Sequence, residues 1–238
     1  MKTQILAIGG AAIPEKLDNL LLIDYFLRQT GKPCPRVCFI GTAHGDNEAG
    51  RLRFYSGFSQ FNCRPTHLPL FARTPRDLDS FVLENDAIFV GGGNTRSLLA
   101  VWRDWGLDLI LKKAWQQGII LGGASAGSIC WFDHGITDSI DGPLTALKGL
   151  GFLAGSNCPH YDSEAQRRPT YQRLVGRGSV SPGWAADDGV GLHFINGELH
   201  SAVSSRPKAK AFRLEANKKR AVETAIAVKR LIPPRFAP

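Results

Sequence analysis

The sequence lacks any apolar run long enough to cross a bilayer, and no low-complexity tract interrupts its 238 residues. After Lys2 the N-terminal region offers only residues 5–8 before two glycines, which is too short for the apolar core of a signal peptide. The five cysteines are an odd number without C-x-x-C spacing, so neither a disulfide framework nor a zinc site is predicted. We expect a cytoplasmic protein with reduced, mostly buried cysteines, no membrane partner, and no metal or other cofactor.

Basic residues are in excess, and the formal net charge is +8. The basic residues are densest in a C-terminal tail, about residues 216–238. This tail has no DNA-binding motif and no set of aromatic residues interleaved with its basic ones. We interpret the tail as a solvent-exposed surface and expect no nucleic-acid partner. The length and a hydrophobic content of 43% predict one globular domain over residues 1–238.

Short apolar runs alternate with helical patterns over the first half of the chain. Strands are predicted at 3–8, 36–40, 65–70, 86–90 and 119–121, and helices at 15–29, 98–105 and 107–115, with a further helical stretch around 52–61. This alternation predicts an α/β fold of three layers, a mostly parallel sheet with helices on both faces. Ligands bind beyond the carboxyl ends of such strands, so the loops at Gly41, Gly91 and Gly122 are expected along one rim.

The second half is less regular. Residues 133–149 are typical of loops or short antiparallel strands, and residues 163–175 of a helix. Asn196-Gly197 between two strand-like runs predicts a β-hairpin, and residues 210–214 predict another strand. Residues 216–231 have a helical pattern.

A G-x-S-x-G pattern follows the fifth predicted strand, with Ser125 between Gly123 and Gly127. Small neighbours allow a sharp turn from strand to helix, which exposes the serine hydroxyl. The same turn leaves the N–H of Ala126 unpaired, where it can stabilise an oxyanion. The pattern therefore predicts a serine nucleophile at 125.

A serine nucleophile needs a base, and the base needs an acidic partner. Among six histidines we favour His160, because it lies in a polar loop segment after a strand. Asp187 and Asp188 are the most concentrated acidic candidates, and Asp138 and Asp162 compete with them. A second N–H donor to the oxyanion is expected from Gly92 or Gly93. An alternative interpretation of residues 91–95 is a phosphate-binding loop, but the lysine of a P-loop is absent there.

Four segments occur in the order found in the peptidase E family of aspartyl dipeptidases. They are Phe89-Val90-Gly91-Gly92-Gly93-Asn94-Thr95, Gly122-Gly123-Ala124-Ser125-Ala126-Gly127, Cys158-Pro159-His160-Tyr161 and Asp187-Asp188-Gly189. The chain resembles that family from about residue 3 to 214. The family is related to cyanophycinases and has the class I glutamine amidotransferase-like fold. The resemblance implies a serine exopeptidase with Ser125, His160 and Asp188 as its triad. The family often has glutamate at the third position, so the shorter Asp188 is a departure and Asp187 is the fallback.

The resemblance also implies substrate contacts. Asp138 lies in a segment like the one in which the family has an aspartate, and Asn94 belongs to the glycine-rich motif. The family favours an N-terminal Asp, which an arginine can bind, and Arg167 or Arg168 lies where the family places a basic residue.

We therefore expect a dipeptidase that acts on short peptides with N-terminal Asp, through an acyl-enzyme. One alternative is an α/β-hydrolase-type esterase, whose chain order of serine, acid and histidine requires His193 or His200 as the base. Another is a non-catalytic protein that binds a small molecule at the Gly91 loop. The sequence leaves the true substrate and the oligomeric state open, with a homodimer as one alternative.

Overall fold

The computed structural model describes residues 1–13 and 20–232 of the chain. The strands are β1 (Gln4–Ile8), β2 (Arg36–Ile40), β3 (Arg64–Leu68), β4 (Ala87–Val90), β5 (Ile120–Ala124), β6 (Phe132–Thr137), β7 (Thr145–Lys148), β8 (Leu153–Cys158), β9 (Gly183–Ala186), β10 (Val190–Ile195), β11 (Glu198–Ser204), β12 (Ala211–Asn217), β13 (Arg220–Ile226) and β14 (Val228–Arg230). The α-helices are α1 (Leu21–Arg28), α2 (Glu48–Phe58), α3 (Leu78–Leu83), α4 (Thr95–Asp104), α5 (Leu107–Gln116), α6 (Ala126–Ile129) and α7 (Arg167–Gly176), and a 3₁₀ helix spans Thr42–His44. No helix in this part of the chain combines the length and the apolar character needed to cross a bilayer.

The larger sheet has eight strands in the order β14-β11-β10-β1-β5-β4-β2-β3. The strands β1, β5, β4, β2 and β3 are parallel to their neighbours in this series, whereas β10 is antiparallel to both β1 and β11. The prediction of a mostly parallel α/β sheet is therefore confirmed.

Successive residues of the parallel strands enter two different cores, as the period-two geometry of a strand requires. In β1, Ile5 packs into one core and Leu6 into the other. Helices α1 and α2 cover the Leu6 side, and helices α3, α4 and α5 cover the Ile5 side. Apolar residues on both faces explain why these strands appear in the sequence as continuous apolar runs.

A second sheet of six strands has the order β13-β12-β9-β8-β6-β7. One face packs on the core of the larger sheet through residues such as Phe132 and Ala186. The other face packs against α7 through Tyr171 and Val175. Strands β6 and β7 are antiparallel, as expected for residues 133–149, but the sequence did not indicate that they belong to a separate sheet.

The C-terminal region differs from the expectation. The prediction of a helix over residues 216–231 is wrong, because these residues form the end of β12 and the strands β13 and β14. Lys218 and Lys219 have φ values of +46° and +67° and form the turn between β12 and β13. Seven register pairs join the two strands, so pairing overrides the helix preference of a segment rich in Ala and Lys.

Two other predictions have clear outcomes. The hairpin at Asn196-Gly197 is confirmed, with φ values of +52° and +85° at the two turn residues. Of the helix predicted over 15–29, the structure has α1 at Leu21–Arg28, and residues 15–19 lie outside the described part of the chain.

A buried histidine on β10 predicts acid sensitivity. His193 is 1% exposed and hydrogen bonds to Tyr25 and Gln4, and burial lowers its pKa to about 4. The unfolded chain then takes up the proton first, so stability falls as the pH drops below about 6.5. Between pH 7 and pH 5 this loss is expected to be about 2 kcal/mol. Urea unfolding measures the free energy of unfolding of wild type and His193→Gln at both pH values. The decrease from pH 7 to pH 5 should be smaller by that amount in His193→Gln. Equal decreases in the two proteins would contradict the prediction.

Candidate active site

Ser125 occupies a strained turn between β5 and α6. Its φ and ψ are +56° and −114°, a conformation that residues other than glycine rarely adopt. A Cβ atom on either Gly123 or Gly127 would lie within 2.4 Å of the carbonyl oxygen of Val90. Both glycines are therefore required because the end of β4 passes directly beside the turn.

The carboxyl ends of four neighbouring parallel strands enclose a cavity of about 260 Å³ at this turn. Residues that follow β1, β2, β4 and β5 line it, as expected from the alternating pattern. Its polar and small lining residues include Gly10, His44, Gly92, Ser125 and His160. Ser125 and His160, which are distant in the sequence, thus share one cavity.

His160 is held in a fixed orientation beside the cavity. Its φ is +54°, and its backbone N–H donates to the carbonyl oxygen of Gly9 at 3.1 Å. Its side-chain Nδ1 lies 2.7 Å from Oδ1 of Asp188. Because a carboxylate only accepts hydrogen bonds, Nδ1 carries the proton and Nε2 is the nitrogen able to accept one.

The structure pairs His160 with Asp188 and places Asp187 elsewhere. Hydrogen bonds from His160, in the first place, and from Ser163 lower the pKa of Asp188. Asp187 instead accepts a hydrogen bond from the backbone N–H of Lys210 at 2.7 Å, and burial raises its pKa. The carboxylate of the competing candidate Asp162 accepts a hydrogen bond from the backbone N–H of Asp188 at 2.9 Å and so helps to fix the position of Asp188.

Arg206 completes this support. Its guanidinium donates to the carbonyl oxygen of Asp188 at 2.9 Å and lies 3.1 Å from the carboxylate of Asp162. The sequence did not single out Arg206, since only the fold brings β11 and the His160 loop together.

Ser125 and His160 are not hydrogen bonded to each other in this structure. Within the described part of the chain, the hydroxyl of Ser125 and Nε2 of His160 have no hydrogen-bond partner. Contacts between nucleophile and base are often long without substrate and tighten when it binds. A ligand in this cavity would therefore meet both the serine and the oriented imidazole.

Three backbone amides were predicted as oxyanion donors. Ala126 directly follows the serine in the chain. Of the two glycines, Gly92 lies nearer to it, since a Cβ on Gly92 would be 3.2 Å from Cβ of Ser125, whereas a Cβ on Gly93 would clash with the carbonyl of Ala43. The amides of Gly92, Gly93 and Ala126 donate no hydrogen bond to any residue that the structure describes. Gly92 and Ala126 therefore have unpaired N–H groups near Ser125.

The structure does not bring the predicted arginines to the cavity. Arg167 is 2% exposed, donates to Glu164 and to the carbonyl of Ile136, and lies 3.6 Å from Asp138. Arg168 pairs with Glu223. Both arginines therefore tie α7 to its own surroundings, and their partners already satisfy their charges.

The other two predicted substrate contacts also have structural partners. The side chain of Asn94 accepts the N–H of Ser97 at 2.9 Å, which caps α4, and donates to the carbonyl of Ser139. Asp138 is 64% exposed and lies outside the set of residues that line the Ser125 cavity. We therefore assign no substrate contact to Asn94 or Asp138.

Two cavity residues were missed by the sequence analysis. His44 follows β2 in the predicted rim loop, and Arg53 lies on α2. The position of His44 beside Gly41 and Gly45 was a usable signal, because rim loops carry ligand contacts. Nothing local marks Arg53, since which face of α2 meets the cavity depends on the packing of the whole helix.

The arrangement disfavours the esterase interpretation of the site. His193 is buried against Tyr25 and Gln4, and neither His193 nor His200 lines the Ser125 cavity. An esterase with the chain order serine, acid, histidine would therefore have no base at this cavity. Gly91 and Gly92 line the same cavity as Ser125, so a small molecule held by the Gly91 loop would occupy the volume in front of the serine.

Gly10 is predicted to be essential to the geometry of the His160–Asp188 pair. A Cβ there would lie 2.0 Å from Oδ1 of Asp188 and 2.5 Å from Cε1 of His160. Gly10→Ala is therefore expected to separate the pair and lower kcat about 100-fold. Steady-state kinetics with circular dichroism checks this, and a folded variant with wild-type kcat would contradict it.

Comparisons with known proteins identify the family of this chain. The chain matches Peptidase family S51 over residues 5–202. It is 51% identical over 228 residues to "Uncharacterized peptidase YgaJ" of Bacillus subtilis (strain 168), which covers 96% of this chain and 99% of that protein.

Two solved structures have a similar fold. A peptidase from an acI-B1 Actinobacterium superposes with a TM-score of 0.73 at 16% identity, covering 96% of this chain and 95% of that one. A putative peptidase E protein from Listeria monocytogenes EGD-e gives a TM-score of 0.57 at 16% identity, covering 95% of this chain and 100% of that one. They support the expected class I glutamine amidotransferase-like fold. On the family match and the 51% identity, the chain belongs to peptidase family S51.

Proposed function

We propose that this peptidase is a serine dipeptidase that hydrolyses short peptides, preferentially those with N-terminal Asp, through Ser125, His160 and Asp188. Membership in family S51 makes the chain a peptidase. The observation that carries the finer assignment is the 2.7 Å hydrogen bond between His160 and Asp188 at a cavity that also contains the strained Ser125. An oriented imidazole and a serine hydroxyl at one cavity are what nucleophilic catalysis requires.

In the proposed reaction, Nε2 of His160 removes the proton of the Ser125 hydroxyl as the oxygen attacks the scissile carbonyl carbon. The ionised Asp188 stabilises the imidazolium that forms. The amides of Gly92 and Ala126 then donate to the oxyanion of the tetrahedral intermediate. His160 returns the proton to the leaving amine, and the C–N bond breaks to leave an ester on Ser125.

The second half of the reaction uses the same groups. Nε2 of His160 removes a proton from water as the water oxygen attacks the ester carbonyl. The C–O bond to Ser125 then breaks, and the serine oxygen recovers its proton from His160. The products are an amino acid released from the acyl-enzyme and the peptide or amino acid released earlier.

The size of the cavity supports a small substrate. Its volume of about 260 Å³ is below the range of roughly 300–1,000 Å³ typical of sites for drug-sized ligands. A few atoms on each side of one peptide bond fill such a space. We therefore favour dipeptides over long chains.

A serine-directed fluorophosphonate combined with a dipeptide library tests the proposal. We expect a single adduct, located at Ser125 by mass spectrometry, and fastest hydrolysis of dipeptides that begin with Asp. His160→Ala should lose both the adduct and hydrolysis, whereas His193→Ala should keep both. Labelling at another residue, or no labelling together with ligand-induced thermal stabilisation, would instead support a non-catalytic binding protein.

A further inference from the structure

Arg53 is a cationic residue on the wall of the cavity that contains Ser125. It projects from α2, is exposed, and has no ion pair or hydrogen bond with any residue that the structure describes. By contrast, Arg167 and Arg168 on α7 are each paired with a carboxylate. Arg53 therefore retains its donors for a ligand.

The described residues that line the cavity include a permanent positive charge and no acidic side chain. The cavity's described titratable side chains are those of Arg53, His44 and His160, and no Asp or Glu is among the described lining residues. Burial, in the first place, lowers the pKa of His44, and the charge of Arg53 contributes to the same effect. His44 is therefore neutral at pH 7, and Arg53 supplies the permanent charge.

The wall next to Arg53 is closely packed. The ring of His44 lies 5.9 Å from that of Phe39, and a Cβ on Gly50 or Gly91 would come within 2.3 Å or 3.2 Å of its Nε2. The glycines thus make room for an imidazole that fills this side of the cavity. Arg53 and His44 both line this cavity.

We propose that Arg53 binds a carboxylate of the substrate and thereby determines which peptides the enzyme accepts. This inference rests on the proposed dipeptidase function and deepens it. A guanidinium offers a planar pair of donors that matches a carboxylate, and such charge-assisted hydrogen bonds are among the stronger ones. The carboxylate is either the side chain of an N-terminal Asp or the free C-terminus of a dipeptide, and the experiment distinguishes these two sources.

Arg53→Met keeps an unbranched stem and removes the charge, and Arg51→Met on the same helix is the matched control. Arg51 does not line the cavity. The substrates are Asp-Leu, its Asn-Leu isostere and Asp-Leu amide, and kcat/KM is measured for each. We expect wild type to prefer at least one carboxylate over its amide, and Arg53→Met to lose about 10- to 100-fold of that preference.

The ratio that changes identifies the source of the carboxylate. Loss of the preference for Asp-Leu over Asn-Leu assigns Arg53 to the side chain. Loss of the preference for Asp-Leu over its amide assigns it to the C-terminus. Both ratios remaining at the wild-type value in Arg53→Met would overturn the proposal.

A binding measurement keeps the inference separate from the proposed function. Succinate and neutral succinamide are titrated calorimetrically into wild type, Arg53→Met and Arg51→Met. Succinate is expected to bind wild type and Arg51→Met at least 10-fold more tightly than Arg53→Met, even if no dipeptide is hydrolysed. Equal succinate binding by all three proteins, or none by wild type, would overturn the role of Arg53 whether or not Ser125 is catalytic.

Discussion

Ser125→Ala is expected to lower kcat for dipeptide hydrolysis by about 10⁶-fold, the effect seen when the nucleophile of a serine protease triad is removed. Without the hydroxyl no acyl-enzyme forms, and only the oxyanion donors and substrate binding remain. The fold should be unaffected, because alanine has the same backbone and Cβ in the strained turn. Progress curves for the best library dipeptide, with enzyme concentration raised for the variant, measure the loss.

Two further variants make this result specific. Ser128→Ala removes a hydroxyl only three residues away, one that donates to Asn157, and it is expected to reduce stability while kcat stays within a few-fold of wild type. Ser125→Gly should lose activity but gain about 1–2 kcal/mol of stability, because glycine relieves the strained conformation at φ +56°. Substantial hydrolysis by Ser125→Ala would rule out Ser125 as the nucleophile.

Asp188→Asn is expected to reduce kcat about 10⁴-fold at neutral pH. The amide of asparagine can donate to Nδ1 of His160, which would move the proton to Nε2, the nitrogen that must accept the serine proton. It also removes the charge that stabilises the imidazolium. The pH dependence of kcat/KM for wild type and variant measures this, together with the unfolding free energy.

The matched control is Asp187→Asn, the same change at the adjacent residue. Asp187 bonds to Lys210 and not to His160, so this variant should affect stability more than kcat. Hydrogen bonds lower the pKa of Asp188, so its stabilising effect is present above about pH 4 and is lost as the pH falls through the lowered pKa. A large kcat loss in Asp187→Asn with none in Asp188→Asn would reverse the assignment of the acid.

Local sequence patterns predicted most of the larger sheet. Gly123 and Gly127 mark the turn at Ser125 in the sequence, although the carbonyl of Val90 that excludes a Cβ atom there lies on β4 and is brought to the turn by the fold. The hairpin at Asn196-Gly197 follows from two consecutive positive φ values, which this dipeptide adopts readily. Such features depend on neighbouring residues and can be predicted before the fold is known.

The errors arose where distant residues decide the outcome. The segment at 216–231 has helix-forming residues, yet pairing with β12 makes it a strand. Arg167 has the right chemistry for an acidic substrate, but the packing of α7 buries it against Glu164 and Ile136. In each case tertiary contacts provided a stronger interaction than the one expected from residue type.

The sequence by itself determined the alternating α/β architecture, the strained serine turn and the small set of candidate bases and acids. These follow from period-two burial, glycine sterics and side-chain chemistry, all of which are local. The tertiary structure alone decided that Asp188 rather than Asp187 meets His160, that a second sheet packs on the first, and that Arg53 faces the cavity. The physical reason is that adjacent residues such as 187 and 188 have the same chemistry, and the partners that distinguish them, His160 for Asp188 and Lys210 for Asp187, come from distant parts of the chain.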